Sequence, residues 1–94
     1  MPDLFRMLAT PPFERDVRKR LKRNPKLLIQ VEEVLAILRK DPYNTTGHFN
    51  IKKLTAVAPG EGQWRIRLGD YRVRYDIFAN DVVLYSFRHR KESY

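Results

Sequence analysis

The chain has 94 residues, enough for one compact domain with one modest core and too few for two. Nineteen lysines and arginines against 11 acidic residues give a formal charge of +8, a balance that favours a polyanionic partner: nucleic acid, a membrane surface or an acidic protein. The lack of cysteine excludes disulfides and thiolate chemistry, no apolar run approaches a membrane span, and "MPDLFRMLAT" lacks the basic start and apolar length of a signal peptide. A soluble, cytoplasmic protein is expected.

In chain order, "LFRMLAT" (4–10) reads as a short first strand, stopped where Pro11 and Pro12 remove two backbone donors. Those prolines suit the first turn of a helix capped by Thr10, and Phe13, Val17 and Leu21 then recur at four-residue spacing as an apolar stripe. The remaining faces carry Arg15, Arg18, Lys19, Arg20, Lys22 and Arg23. A charge run of this kind is most often a solvated helix face. Asn24 and Pro25 offer the next N-cap and first helical residue, and Leu28, Val31, Leu35 and Leu38 mark a second helix that ends at Asp41 and Pro42. Two helices joined by so short a link form a hairpin whose apolar faces require a sheet.

Residues 41–62 are rich in turn formers and lack a period. A connection of that length predicts either a short strand around Ile51 to Leu54 or a functional loop. Beyond it the period becomes two: Trp64, Ile66 and Leu68, then Tyr71, Val73, Tyr75 and Ile77, then "VVLYSF" from Val82 to Phe87. The expected fold is α+β, a small mostly antiparallel sheet packed on a two-helix hairpin in the order β-α-α-β-β-β, with residues 1–94 forming a single domain.

Between Leu68 and Tyr71 stand only Gly69 and Asp70, the chemistry of a tight type II′ or I′ turn. The register follows. Leu68 should pair with Tyr71, Ile66 with Val73 and Trp64 with Tyr75 on one face, and Arg67 with Arg72 and Arg65 with Arg74 on the other. Like charges placed opposite one another cost on the order of a few tenths of a kcal/mol per exposed pair, so the arrangement is compatible with a merely solvated basic face. Its functional reading is a cluster of guanidinium forks suited to phosphate oxygens, with Asp76 neutralising part of it. A three-residue loop of Ala79, Asn80 and Asp81, with Asn80 left-handed, would send Val83, Tyr85 and Phe87 to the core and Arg88 and Arg90 to the arginine face. A two-residue loop would instead set Tyr85 and Phe87 beside the arginines as platforms for bases. The three-residue loop is the preferred expectation because it buries more aromatic area.

"WRIRLGDYRVRYDI" followed by "VVLYSFRHRKESY", with "PPFERDVRKRL" and the "NP" between the helices upstream, resembles the RelE/ParE superfamily of bacterial and archaeal toxins over nearly the whole chain. The resemblance implies a small sheet with two helices on one face. In its RelE branch it implies an endoribonuclease, independent of metal and cofactor, that cuts messenger RNA in the ribosomal A site and is held in check by a cognate antitoxin. Carried over by position, the catalytic set is Arg65, Arg67, Arg72, Arg90 and Tyr94. Well-known members have lysines at the first two of these positions, and because an arginine stays protonated the general base falls to Tyr94 or to His89. By alternation with Arg88 and Arg90, His89 is as well placed to pack on the core side. Arg74, Arg88, Lys52, Lys53, Arg18 and Lys22 are the expected RNA-binding cations, the helical ones toward ribosomal RNA. The competing readings are a ParE-like toxin that poisons DNA gyrase and a basic binding module without catalysis. No spaced His, Cys or Asp cluster and no glycine-rich phosphate loop stands in the sequence.

Overall fold

The structure, a computed structural model, describes residues 4–92. Strand β1 (Arg6–Ala9) leads into helices α1 (Pro11–Arg23) and α2 (Leu27–Lys40), and strands β2 (Ile51–Lys53), β3 (Trp64–Leu68), β4 (Tyr71–Phe78) and β5 (Asp81–His89) follow, closed by a 3₁₀ turn at Arg90–Glu92. The five strands form one mixed sheet in the order β1-β5-β4-β3-β2, with β1 parallel to β5 and the other pairs antiparallel. This is the expected α+β architecture, and the open question about residues 41–62 resolves into the short strand β2.

Thr10 ends the first strand and begins the first helix with one side chain. Its hydroxyl donates to the Leu84 carbonyl at 2.7 Å and accepts from the Phe13 N–H at 3.4 Å, so the prolines at the first two helical positions leave no donor unmet. The second helix starts later than the "NP" pair suggests. Asn24 closes α1 through its N–H to the Arg20 carbonyl, and Leu27 and Leu28 donate to the Asn24 and Pro25 carbonyls, so residues 24–26 form a tight turn and α2 opens at Leu27 without a side-chain cap. The link is too short for Asn24 to serve both helices.

The helices cover one face of the sheet. Phe13 from α1 and Val31, Val34 and Leu38 from α2 pack on Ile66, Val73, Tyr75, Val82, Leu84 and Phe87, all almost fully buried. At the end of α2, the buried Asp41 accepts from the backbone and hydroxyl of both Thr45 and Thr46, and the Tyr75 hydroxyl donates to the Pro42 carbonyl at 2.7 Å. Burial would push the Asp41 carboxyl up, but these hydrogen bonds together outweigh it and hold the group below the ordinary range.

The β3–β4 hairpin has the register read from its turn: Leu68 opposite Tyr71, Arg67 opposite Arg72, Ile66 opposite Val73, Arg65 opposite Arg74 and Trp64 opposite Tyr75. Gly69 has φ +60° and Asp70 lies outside the left-handed region, which selects type II′. The β4–β5 connection corrects the expectation. Its loop has two residues, Ala79 and Asn80, because Asp81 pairs with Phe78 and holds the Arg6 guanidinium by two contacts of 2.9 and 3.0 Å. Ala79, not Asn80, takes the left-handed conformation, at φ +53°. Val82 and Leu84 therefore enter the core, and Val83 does not. Past the loop, Tyr75 faces Leu84 and Arg74 faces Ser86, leaving Tyr85 as the extra residue of a β-bulge. That single insertion reverses the alternation, returning Phe87 to the core opposite Val73 and Arg88 to the row of Arg72.

Candidate functional site

The face of the sheet away from the helices carries two cross-strand rows of cations. Arg67, Arg72 and Arg88 lie side by side on β3, β4 and β5, and Lys52, Arg65, Arg74 and Ser86 form the adjacent row from β2 to β5. Between them opens a cavity of about 500 Å³ lined by Leu54, Glu61, Arg65, Arg72, Arg74, Tyr85, Ser86 and Arg88. Four guanidinium groups from three strands thus converge on one concavity.

One wall is a loop fastened by a buried carboxylate. Leu54 donates to the Gln63 carbonyl at 2.7 Å, closing residues 55–62, and Asp76 accepts from the N–H groups of Gly60 (2.6 Å), Gln63 (2.7 Å) and Gly62 (3.2 Å). Burial alone would raise the Asp76 carboxyl, but these three amides and the Tyr85 hydroxyl outweigh it and hold the group below the usual carboxylate range. The loop carbonyls in turn hold Arg74, whose Nε donates to Gly62 at 2.8 Å and whose Nη2 donates to Glu61 at 3.2 Å. Gly62 is required here. Its φ is +84°, and a Cβ would lie 3.0 Å from the Arg74 Cβ. Asp76 therefore does not neutralise the cluster at large: it positions the loop that positions Arg74.

Of the residues expected from sequence, Arg65, Arg72, Arg74 and Arg88 line the cavity, and Arg67 and Lys52 flank it on the same face by register. Arg88 stands 4.0 Å from Asp16, whose carboxylate also accepts the Phe87 N–H. Arg90 is placed elsewhere, because the alternation ends with β5 at His89. Its N–H donates to the Asp70 carbonyl at 2.7 Å, and its guanidinium lies 3.6 Å from the Asp70 carboxylate at the β3–β4 turn. His89 pairs with Tyr71 on the helix-covered side, edge-on to that ring at 5.3 Å, with Nδ1 accepting the Lys91 N–H. Lys53 pairs with Trp64 and sets its Nζ 5.7 Å from the indole centroid, also away from the arginines. Arg18 and Lys22 lie on the exposed surface of α1, and Tyr94 falls outside the described residues. Sequence reasoning missed Glu61, Leu54 and Ser86. The glycines on either side of Glu61 were the signal that its backbone passes close to something.

The chain belongs to the ParE toxin family of type II toxin-antitoxin systems, whose model matches residues 7–94. It is thus a toxin of the RelE/ParE superfamily. Among solved structures, it is similar to a chain of the toxin-antitoxin complex RelBE2 from Mycobacterium tuberculosis, with 26% identity and a TM-score of 0.70 over 93% of this chain and 99% of that one. It also shares its fold with a chain of the RelB-RelE antitoxin-toxin complex from Methanococcus jannaschii, at 21% identity and a TM-score of 0.56 over 89% and 91% of the two chains. No curated protein matches the toxin. No helix among the described residues is long and apolar enough to cross a membrane.

Proposed function

We propose that this toxin is a ribosome-dependent endoribonuclease that cuts messenger RNA in the A site. The observation that carries this reading is the convergence of Arg65, Arg72, Arg74 and Arg88 on one cavity. Cleavage of this class has the ribose 2′-oxygen attack the adjacent phosphorus as the bond to the 5′-oxygen breaks, leaving a 2′,3′-cyclic phosphate and a 5′-hydroxyl. Negative charge builds on the phosphate oxygens in between, and fixed guanidinium donors stabilise that charge more than they stabilise the substrate. Arg65 and Arg72, diagonal neighbours on paired strands, grip the phosphate; Arg67 and Arg88 raise the local potential. The 2′-hydroxyl proton goes to the Glu61 carboxylate in the cavity wall or to Tyr94, the base that the family resemblance implies, and water protonates the departing 5′-oxygen. His89, on the other side of the sheet, takes no part. Because both solved relatives are toxin-antitoxin complexes, a cognate antitoxin is the proposed partner in the cytoplasm, and the basic surface of α1, with Arg18 and Lys22, faces ribosomal RNA.

The match to the ParE toxin model favours a second reading, gyrase poisoning. Primer extension on a reporter message in a translation extract separates the two. The ribonuclease reading expects new 5′ ends within the reading frame and a loss of about 10²- to 10³-fold in cutting for Arg72→Ala, the cost of removing one such donor. Intact transcripts together with double-strand breaks in gyrase-treated DNA would overturn it in favour of the second.

A further inference from the structure

The cavity is larger and less uniformly charged than a phosphate requires. About 500 Å³ falls within the range that holds whole small ligands, and Leu54 and one aromatic side chain, Tyr85, share its lining with the cations. The tyrosine is held firmly. The bulge that makes Tyr85 the extra residue of β5 leaves it lining the same concavity as its neighbour Ser86. The Asp76 carboxylate takes its hydroxyl, and Gly62 passes so close that a Cβ there would lie 3.4 Å from the ring's Cδ2. Fixing the ring at both its tip and its edge removes the rotamer freedom a ligand would otherwise have to freeze. With its hydroxyl engaged by a buried carboxylate, Tyr85 has the phenol pushed up to about 12 by burial and by Asp76, so it stays protonated at neutral pH and is no base. What it can offer a ligand is its π-surface.

We propose that Tyr85 is the nucleobase platform of the cavity: a base of the RNA lies against its ring, with Leu54 beside it, while Arg65 and Arg72 hold the adjoining phosphate. This assignment rests on reading the cavity as an RNA site. Stacking on an aromatic side chain tolerates every base, so the platform places the chain without dictating its sequence.

The test uses two probes that cannot be cut, a 2′-O-methyl trinucleotide and the same molecule with its central base removed, bound to the full-length toxin at one fixed salt concentration. Wild type should hold the base-bearing probe on the order of tenfold or more tighter than the abasic one. Tyr85→Phe, which keeps the ring, should preserve that ratio. Tyr85→Leu should bring it near one while leaving abasic binding unchanged. Equal binding of both probes by wild type would overturn the platform and leave the cation site standing, whereas binding of neither would overturn the RNA reading and the platform with it. If Tyr85→Leu also loses the abasic probe, or if Tyr85→Phe loses the ratio, the residue shapes the cavity rather than seating a base, and the proposal falls.

Discussion

On the helix-covered face of the sheet, Ile66, Val73, Tyr75 and Phe87 are each at most 2% exposed and touch one another across three strands, whereas on the opposite face the Arg88 side chain is 57% exposed. The same backbone serves both, since alternation sends neighbours in opposite directions. The covered face is positioned by packing, which any change of volume disturbs. The arginine face is positioned by hydrogen bonds from a loop, through Asp76, Gly62 and Arg74. Stability should therefore reside on one side and the proposed chemistry on the other.

Phe87→Ala gives the sharpest test of that division. Phe87 is 1% exposed and stacks on Tyr71 with ring centroids 5.0 Å apart, and truncating such a side chain costs about 3–5 kcal/mol. For a small protein whose total stability is about 5–15 kcal/mol, urea denaturation should show a large fall in the midpoint. Arg72→Ala, one residue before Val73 but facing the other way, should change the stability from the same titration by no more than about 0.5 kcal/mol. Equal losses from the two variants would mean that the arginine row is structural and that the faces are not separable.

Much of the fold could be read before the structure because short-range chemistry decides it. Gly69–Asp70 permits one tight turn, that turn fixes one register, and the register sorts Arg65, Arg67, Arg72 and Arg74 from Trp64, Ile66, Val73 and Tyr75. The β4–β5 loop was misread because Asn is the residue expected to go left-handed, while here Ala79 does so under the constraint of the Arg6–Asp81 ion pair from a strand more than 70 residues away. The bulge at Tyr85 leaves no local mark at all. Arg90 looked like a member of the arginine face only while the strand was assumed to continue, and the 3₁₀ turn at Arg90–Glu92, where Glu92 is paired with Arg20, ends it. Glu61 sits in a stretch without periodicity, where no pattern could say which way a side chain points.

Acid distinguishes the faces in a second, smaller way. Asp76 has its folded pKa held below the ordinary carboxylate value by backbone and Tyr85 hydrogen bonds. The unfolded chain therefore binds a proton first. The stabilisation is complete above the unfolded value of about 3.9 and is lost as pH falls from there through the lower folded value. Asp41, also depressed, adds a loss in the same direction at the end of α2. Asp76→Asn should cost about 1–3 kcal/mol at neutral pH, as a buried group that can no longer satisfy three amides. It should also flatten the stability profile between about pH 4 and 2. Stability measured by denaturant across that range would contradict the assignment if wild type and variant fell in parallel.

Ala79→Gly should have a small effect, and the opposite sign. An L-residue in the left-handed region carries a steric cost of roughly 1–2 kcal/mol, because its Cβ approaches the following carbonyl oxygen, and Ala79 stands there at φ +53°. Glycine removes that clash, but the unfolded chain gains freedom worth about 0.4–1 kcal/mol in the other direction. The net expectation is a gain of about 0.5–1 kcal/mol, or roughly 2–8 °C in Tm for a protein of this size. Because the two-residue loop sets which of Val82 and Val83 faces the core, glycine at 79 should leave that parity and the cation rows unchanged, and the cutting activity proposed for Arg72 should not move. A lower Tm would mean that Ala79 does not sit left-handed in solution. The loop would then have to place Asn80 there, and the residues of β5 before the bulge would exchange faces.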